Sequence, residues 1–202
     1  MIEILSTFCD VKNGLIRNLG YYGTLCITNN RNKVLAKNRG GICVSSSNSG
    51  QDLVPLVCDL DLTRYLGKWY EVGKLSAKEQ KGLDNVTATY SLKKNGKIKV
   101  HNQGYKNGKQ KGIKGSAWLR NESCTGGLYV RFFWPLKGEY NVIKLAEDYR
   151  YAVVMGESKS SLWILSRTPK MNKEDGQEIV DFLDSFGFDI QKLIKTKQDG
   201  NM

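Results

Sequence analysis

Between residues 67 and 168, apolar and polar residues alternate in short runs separated by turn residues, the pattern of antiparallel strands that bury one face. Val86, Ala88, Tyr90 and Leu92 fall on one face of such a run, and Thr87, Thr89, Ser91 and Lys93 on the other. Asn95-Gly96 supplies a two-residue hairpin turn, because both residue types tolerate positive φ. The return strand sets Ile98, Val100 and Asn102 against Lys97, Lys99 and His101, and Asn107-Gly108 marks the next turn. Segments 113–120, 128–134, 140–146, 151–155 and 162–167 follow, and 69–75 precedes them. About eight strands in up-and-down order predict an all-β fold, an eight-stranded antiparallel barrel, since closure removes the exposed edges of an open sheet.

After Pro169 the period changes. Asn172 is a helix cap, Glu174 and Asp175 occupy the first turn, and Ile179, Val180, Phe182, Leu183 and Phe186 recur at helical spacing until Gly187. This predicts one C-terminal amphipathic helix packed outside the barrel, with Gly176 as a weak point. Lys192, Lys195 and Lys197 read as a solvated basic tail.

Residues 1–55 differ in character. Positions 1–52 hold six basic residues and three acids among many Asn, Gly and Ser, with no sustained period of 2 or 3.6. The run Ser45-Ser46-Ser47-Asn48-Ser49-Gly50 reads as a linker. A basic, acid-poor leader fits an organelle transit peptide, which would make the location a plastid or another organelle. An unprocessed, poorly ordered extension is the other reading, and it leaves the chain cytoplasmic or peripherally attached to a membrane. The domain proper is then 56–202.

The length of 202 residues suits one domain with an appendage, and no apolar run approaches the roughly 20 residues that span a bilayer. A net charge of +11 implies attraction to nucleic acid, anionic lipid or acidic ligands without choosing among them. The basic residues are spread along the outward faces and the aromatics lie in the inward phase, which argues against nucleic acid. The single histidine, His101, and five cysteines without a C-x-x-C pair remove most zinc and triad schemes, and no cofactor or metal is implied. Cys124 is left as a free thiol or as the partner of Cys58.

Three groups of residues carry a family resemblance. Gly67-Lys68-Trp69-Tyr70-Glu71, Glu147-Asp148-Tyr149 and Leu162-Trp163-Ile164-Leu165-Ser166-Arg167 resemble, in order and spacing, the three signature regions of the lipocalins. Longer phrases at 86–92, 140–143 and 163–169 resemble more narrowly the group of bacterial outer-membrane lipocalins, plant temperature-induced lipocalins and apolipoprotein D. The resemblance spans about residues 59–195. It implies a lipocalin barrel with structural roles for Gly67, Trp69, Asp148, Tyr149 and Arg167, the guanidinium of Arg167 stacking on the Trp69 indole. The family-guided register turns inward Glu71, Tyr90, Ile98, Val100, Asn102, Ala117, Val130, Phe132, Trp134, Tyr140, Val142 and Trp163, a largely apolar lining suited to a small ligand.

The reading that follows is a non-enzymatic carrier of a small hydrophobic ligand, a fatty acid, lysophospholipid or similar lipid. The resemblance adds a role in membrane lipid maintenance or stress protection, as a monomer or dimer. Peripheral contact with an anionic membrane would run through Phe133, Trp134, Pro135 and Leu136, large apolar residues at a turn. The alternative is a lipocalin-type enzyme acting on a lipid or carotenoid, for which Cys124 is the candidate thiol.

Overall fold

The structure, a computed structural model, describes residues 54–75 and 82–199, together with the backbone of three short strands in the preceding segment. Those three are β1 (Leu25–Asn29), β2 (Lys33–Lys37) and β3 (Ile42–Val44). Strand β1 pairs with β2, and β3 pairs with β4 (Pro55–Val57), all antiparallel. The sequence predicts no regular element there, because runs of three to five residues are too short to establish a period. The linker at 45–50 lies outside the described residues.

The packed chain begins at buried Val54 and Leu56. A one-turn helix α1 (Leu62–Tyr65) follows, capped by Asp61 Oδ1, which accepts from the Thr63 and Arg64 amides at 2.8 and 3.3 Å. Eight strands then succeed one another: β5 (Gly67–Leu75), β6 (Asp84–Leu92), β7 (Ile98–Lys106), β8 (Lys109–Leu119), β9 (Gly127–Arg131), β10 (Gly138–Leu145), β11 (Tyr151–Met155) and β12 (Leu162–Ser166). Each pairs antiparallel with the next, and β12 pairs back onto β5, so the sheet closes. The barrel floor lies at α1, and the loops after β5, β7, β9 and β11 surround its mouth.

Both Asn-Gly hairpins form, by different routes. At Asn107-Gly108 both residues have positive φ, 51° and 72°, and join Lys106 to Lys109 directly. At the other, the Lys93 amide donates to Lys97 O across a three-residue loop in which Gly96 alone turns positive, to 76°.

Helix α2 (Lys173–Ser185) lies against the outside of the barrel, and β13 (Ile194–Lys195) adds to β5. Asn172 caps α2, its Oδ1 accepting from the Asp175 amide at 2.7 Å. Two apolar cores result. One fills the floor of the barrel around Trp69, Tyr65, Val142 and Leu165; the other lies between the outer wall and α2, around Leu162, Ile164, Ile179 and Leu183.

Three local expectations change, and one alternative left open is decided. Leu92 is 64% exposed, because it ends β6 just before the turn. Strand β9 stops at Arg131, so the parity that pointed Trp134 inward does not carry through, and Trp134 is 83% exposed in the loop to β10. The basic tail is not merely solvated: its lysines are exposed, yet its backbone forms β13 and buries Thr196. Cys124 is not a free thiol but is bonded to Cys58, 66 positions earlier, and this anchors the loop before β9 on the end of β4.

Candidate functional site

The signature residues assemble at the barrel floor. Trp69 is fully buried on β5, its Nε1 donating to Tyr65 O at 2.8 Å. Arg167, just past β12, lays its guanidinium 3.8 Å from the Trp69 ring centroid and donates to Lys68 O at 3.0 Å and Arg64 O at 2.6 Å. Gly67 has φ of +96°, and a Cβ there would come 3.3 Å from Arg167 Nη1, so glycine serves both the backbone and the close approach. Tyr149, itself at φ 65°, accepts from the Asp61 amide at 2.8 Å and lies under Arg64. Asp148 accepts from Arg150, which also clamps Asp175 of α2.

Above this floor, the inward faces of the strands enclose a cavity of about 510 Å³ that opens at the mouth. That volume falls within the range of small-molecule sites. Of the twelve residues expected to face inward, Glu71, Tyr90, Val100, Asn102, Val130, Phe132, Tyr140 and Trp163 line it. Four do not. Ile98 and Ala117 line a void of about 10 Å³ beneath the cavity, Val142 is fully buried in the floor core, and Trp134 lies outside, over a shallow groove with Lys93, Lys99, Lys114 and Arg131. Phe132 keeps its place because β8 carries Gly115 opposite: a Cβ there would meet the Phe132 ring at 2.8 Å.

The cavity also uses Leu83, Ile113, Val154 and Leu165, with Gln103, Lys111, Phe133 and Glu139 among its other polar and apolar lining residues. Val154 and Leu165 were discoverable, since β11 and β12 alternate; Phe133 was not, since loop conformation places it, nor was Glu139, which stands in β10 at the parity opposite to Tyr140.

The polar groups of the wall are few. Glu71 is buried and its Oε1 accepts from Lys74 Nζ at 2.9 Å and from Thr196 Oγ1 at 2.7 Å. The acid thus holds the C-terminal segment to the barrel. Gln198 Nε2 extends the seam by donating to Glu71 O and Val86 O, bridging β5 and β6 where they part. The side-chain Oδ1 of Asn102 is fully buried and has no hydrogen-bond partner among the described residues. At the base of the cavity Tyr140 Oη lies 2.7 Å from Tyr65 Oη and 2.9 Å from Tyr90 Oη. Burial raises the Tyr90 phenol to about 12 and those of Tyr65 and Tyr140 well above the usual 10, so all three are protonated at neutral pH.

Among the described residues no cluster of His, Cys, Asp and Glu could hold a metal, and no helix is long and apolar enough to cross a membrane. The thiol on which the catalytic alternative rested is consumed by the disulfide.

The charge is not spread evenly over the outer faces as expected. Residues 84–138, covering β6 to β9, carry eleven Lys and Arg against two acids, Asp84 and Glu122. Residues 139–202 carry nine basic residues against eleven acidic ones. At the mouth end of the basic side, Phe133, Trp134 and Leu136 are 67%, 83% and 73% exposed.

Residues 60–198 match the family model described as a lipocalin-like domain. Outer membrane lipoprotein Blc of Citrobacter freundii is 43% identical over 149 residues, covering 73% of this chain and 84% of that protein. Temperature-induced lipocalin-1 of Arabidopsis thaliana is 37% identical over 153 residues, covering 71% and 82%. Among solved structures, insecticyanin from the tobacco hornworm Manduca sexta superposes with a TM-score of 0.61 at 20% identity, over 78% of this chain and 89% of that one.

Proposed function

The chain belongs to the lipocalin family, whose members bind small hydrophobic ligands, and from that premise we propose that it carries the acyl chain of a fatty acid or lysophospholipid in its barrel. The observation that supports this is the cavity of about 510 Å³, mostly apolar, closed below by the Trp69 core and open above. Each methylene buried there contributes about 0.8 kcal/mol, enough to reach micromolar affinity after the costs of association. The head group stays at the mouth beside Lys111 and Gln103. Asn102 offers its unpartnered Oδ1 to any donor that passes it, which offsets the cost of burying that oxygen unpaired.

The mouth faces a membrane in this reading. Basic strands β6 to β9 attract anionic lipid, and Phe133, Trp134 and Leu136 enter the interface beside the cavity opening. A barrel so oriented takes up or delivers single-chain lipids, consistent with a part in membrane lipid maintenance or stress protection.

Isothermal titration of the delipidated protein with hexadecanoate and with hexadecanoyl lysophosphatidylcholine tests the carrier role. One molecule of at least one of them should bind per chain with a Kd of about 1 μM. A protein that takes up neither is not a carrier of this class.

A further inference from the structure

The three tyrosines at the base of the cavity hold more hydrogen-bond donors than they use. Tyr65 Oη and Tyr90 Oη each bond only to Tyr140 Oη, and no other described residue bonds any of the three. Three hydroxyls carry three protons, and two hydrogen bonds consume two of them whichever way each is directed. One O–H donor is left over in every arrangement. It is buried, and a buried donor without an acceptor is costly.

No protein group below supplies that acceptor. The void of about 10 Å³ beneath is lined, apart from the tyrosines, by apolar side chains such as Leu62, Leu66, Ile98 and Leu128, and is at or below the space one water needs. Tyr90 and Tyr140 also line the main cavity, so an acceptor can reach the triad from there.

We propose that Tyr90 and Tyr140 form a second polar subsite at the blind end of the barrel, which accepts an oxygen on the part of the ligand that enters first. The preferred ligand is then an oxygenated single-chain lipid, its acyl chain bearing a hydroxyl, oxo or epoxy group, rather than a plain saturated chain. This rests on the carrier reading and narrows its ligand class.

The test is titration of the full chain with hexadecanoate and with hydroxyhexadecanoates substituted near the head group, in mid-chain and at the terminal carbon. The same series offered as lysophosphatidylcholine esters distinguishes a free acid from a lysolipid as the source of the oxygenated chain. At least one mid-chain or terminal isomer, in either series, should bind about three- to tenfold more tightly than its unsubstituted parent. The preference, read as the ratio of oxygenated to plain-chain affinity, should vanish in the Tyr90→Phe/Tyr140→Phe double variant, which keeps both rings. Equal or weaker binding of every oxygenated isomer in both series overturns the subsite, since water then serves the spare donor as well as ligand does. So does a preference that persists in the double variant. Failure of the carrier reading looks different, because hexadecanoate and its lysolipid then do not bind at all.

Discussion

Arg167 joins three parts of the molecule through one side chain. Its guanidinium covers the Trp69 indole and donates to two backbone carbonyls near α1, so a single residue closes the seam between the last strand, the first strand and the floor helix. Arg167→Ala removes a cation–π contact worth about 0.5–2 kcal/mol and leaves two carbonyls without donors. We expect a loss of about 1–3 kcal/mol in urea unfolding, with Arg167→Lys recovering less than half, because an ammonium has no planar fork. A loss below about 0.5 kcal/mol for Arg167→Ala would make the stack incidental. Trp134 shows where reasoning one residue at a time breaks down. It has the right residue type for a lining and the right parity, but parity ends with the strand, and β9 ends at Arg131.

Helix α2 is held by its apolar stripe and by two ion pairs that the stripe does not announce, Lys144–Glu178 and Arg150–Asp175. Asp175 sits in the first turn, where its charge favours the helix dipole, yet its carboxylate faces the barrel and receives Arg150 Nε at 2.9 Å and Nη2 at 2.7 Å. These bonds from Arg150 hold the Asp175 carboxyl below its ordinary value of 3.8. A depressed carboxylate stabilises the fold above its unfolded pKa, and that contribution is lost as pH falls through the lower folded value. Asp175→Asn should therefore lower Tm by about 2–4 °C at pH 7, and the gap to the wild type should narrow as pH falls below the ordinary carboxylate value of 3.8. A gap independent of pH would assign the effect to packing. Strand β13 makes a similar point: Ile194–Lys195 has no strand-like pattern, but the unpaired edge of β5 accepts its backbone and Glu71 accepts Thr196.

At the scale of the whole molecule, charge is polarised. The side formed by β6 to β9 is strongly basic and ends in an exposed apolar loop, while the half with α2 is slightly acidic. The membrane contact proposed above would then have one preferred orientation, each Lys or Arg near an anionic surface contributing about 1 kcal/mol. Co-sedimentation should show binding to vesicles with about 30% phosphatidylglycerol, little to pure phosphatidylcholine, and loss as salt rises towards about 0.5 M. Trp134→Ser/Leu136→Ser should weaken that binding about tenfold without changing hexadecanoate uptake. Binding that ignores both salt and the loop would point to another surface. The Cys58–Cys124 bond acts at this scale too, tying the chain before the barrel to a loop at its closed end.

The eight strands, the outer helix and the inward alternation of β5 to β8 were legible in the sequence. A period of two states which face a residue occupies for as long as a strand stays unbroken, and those strands are long. The Trp69–Arg167 pair was legible as well, since an indole and a guanidinium in matching signature regions have a contact to make. Tertiary structure alone decided the rest. It set Trp134 outside, joined Cys58 to Cys124, added β13, turned Asp175 towards Arg150, gathered the basic strands on one side, and brought the hydroxyls of Tyr65 and Tyr90 within 2.9 Å of that of Tyr140. Each of these depends on where a strand stops, or on which distant segments closure brings together, and local patterning carries no information about either.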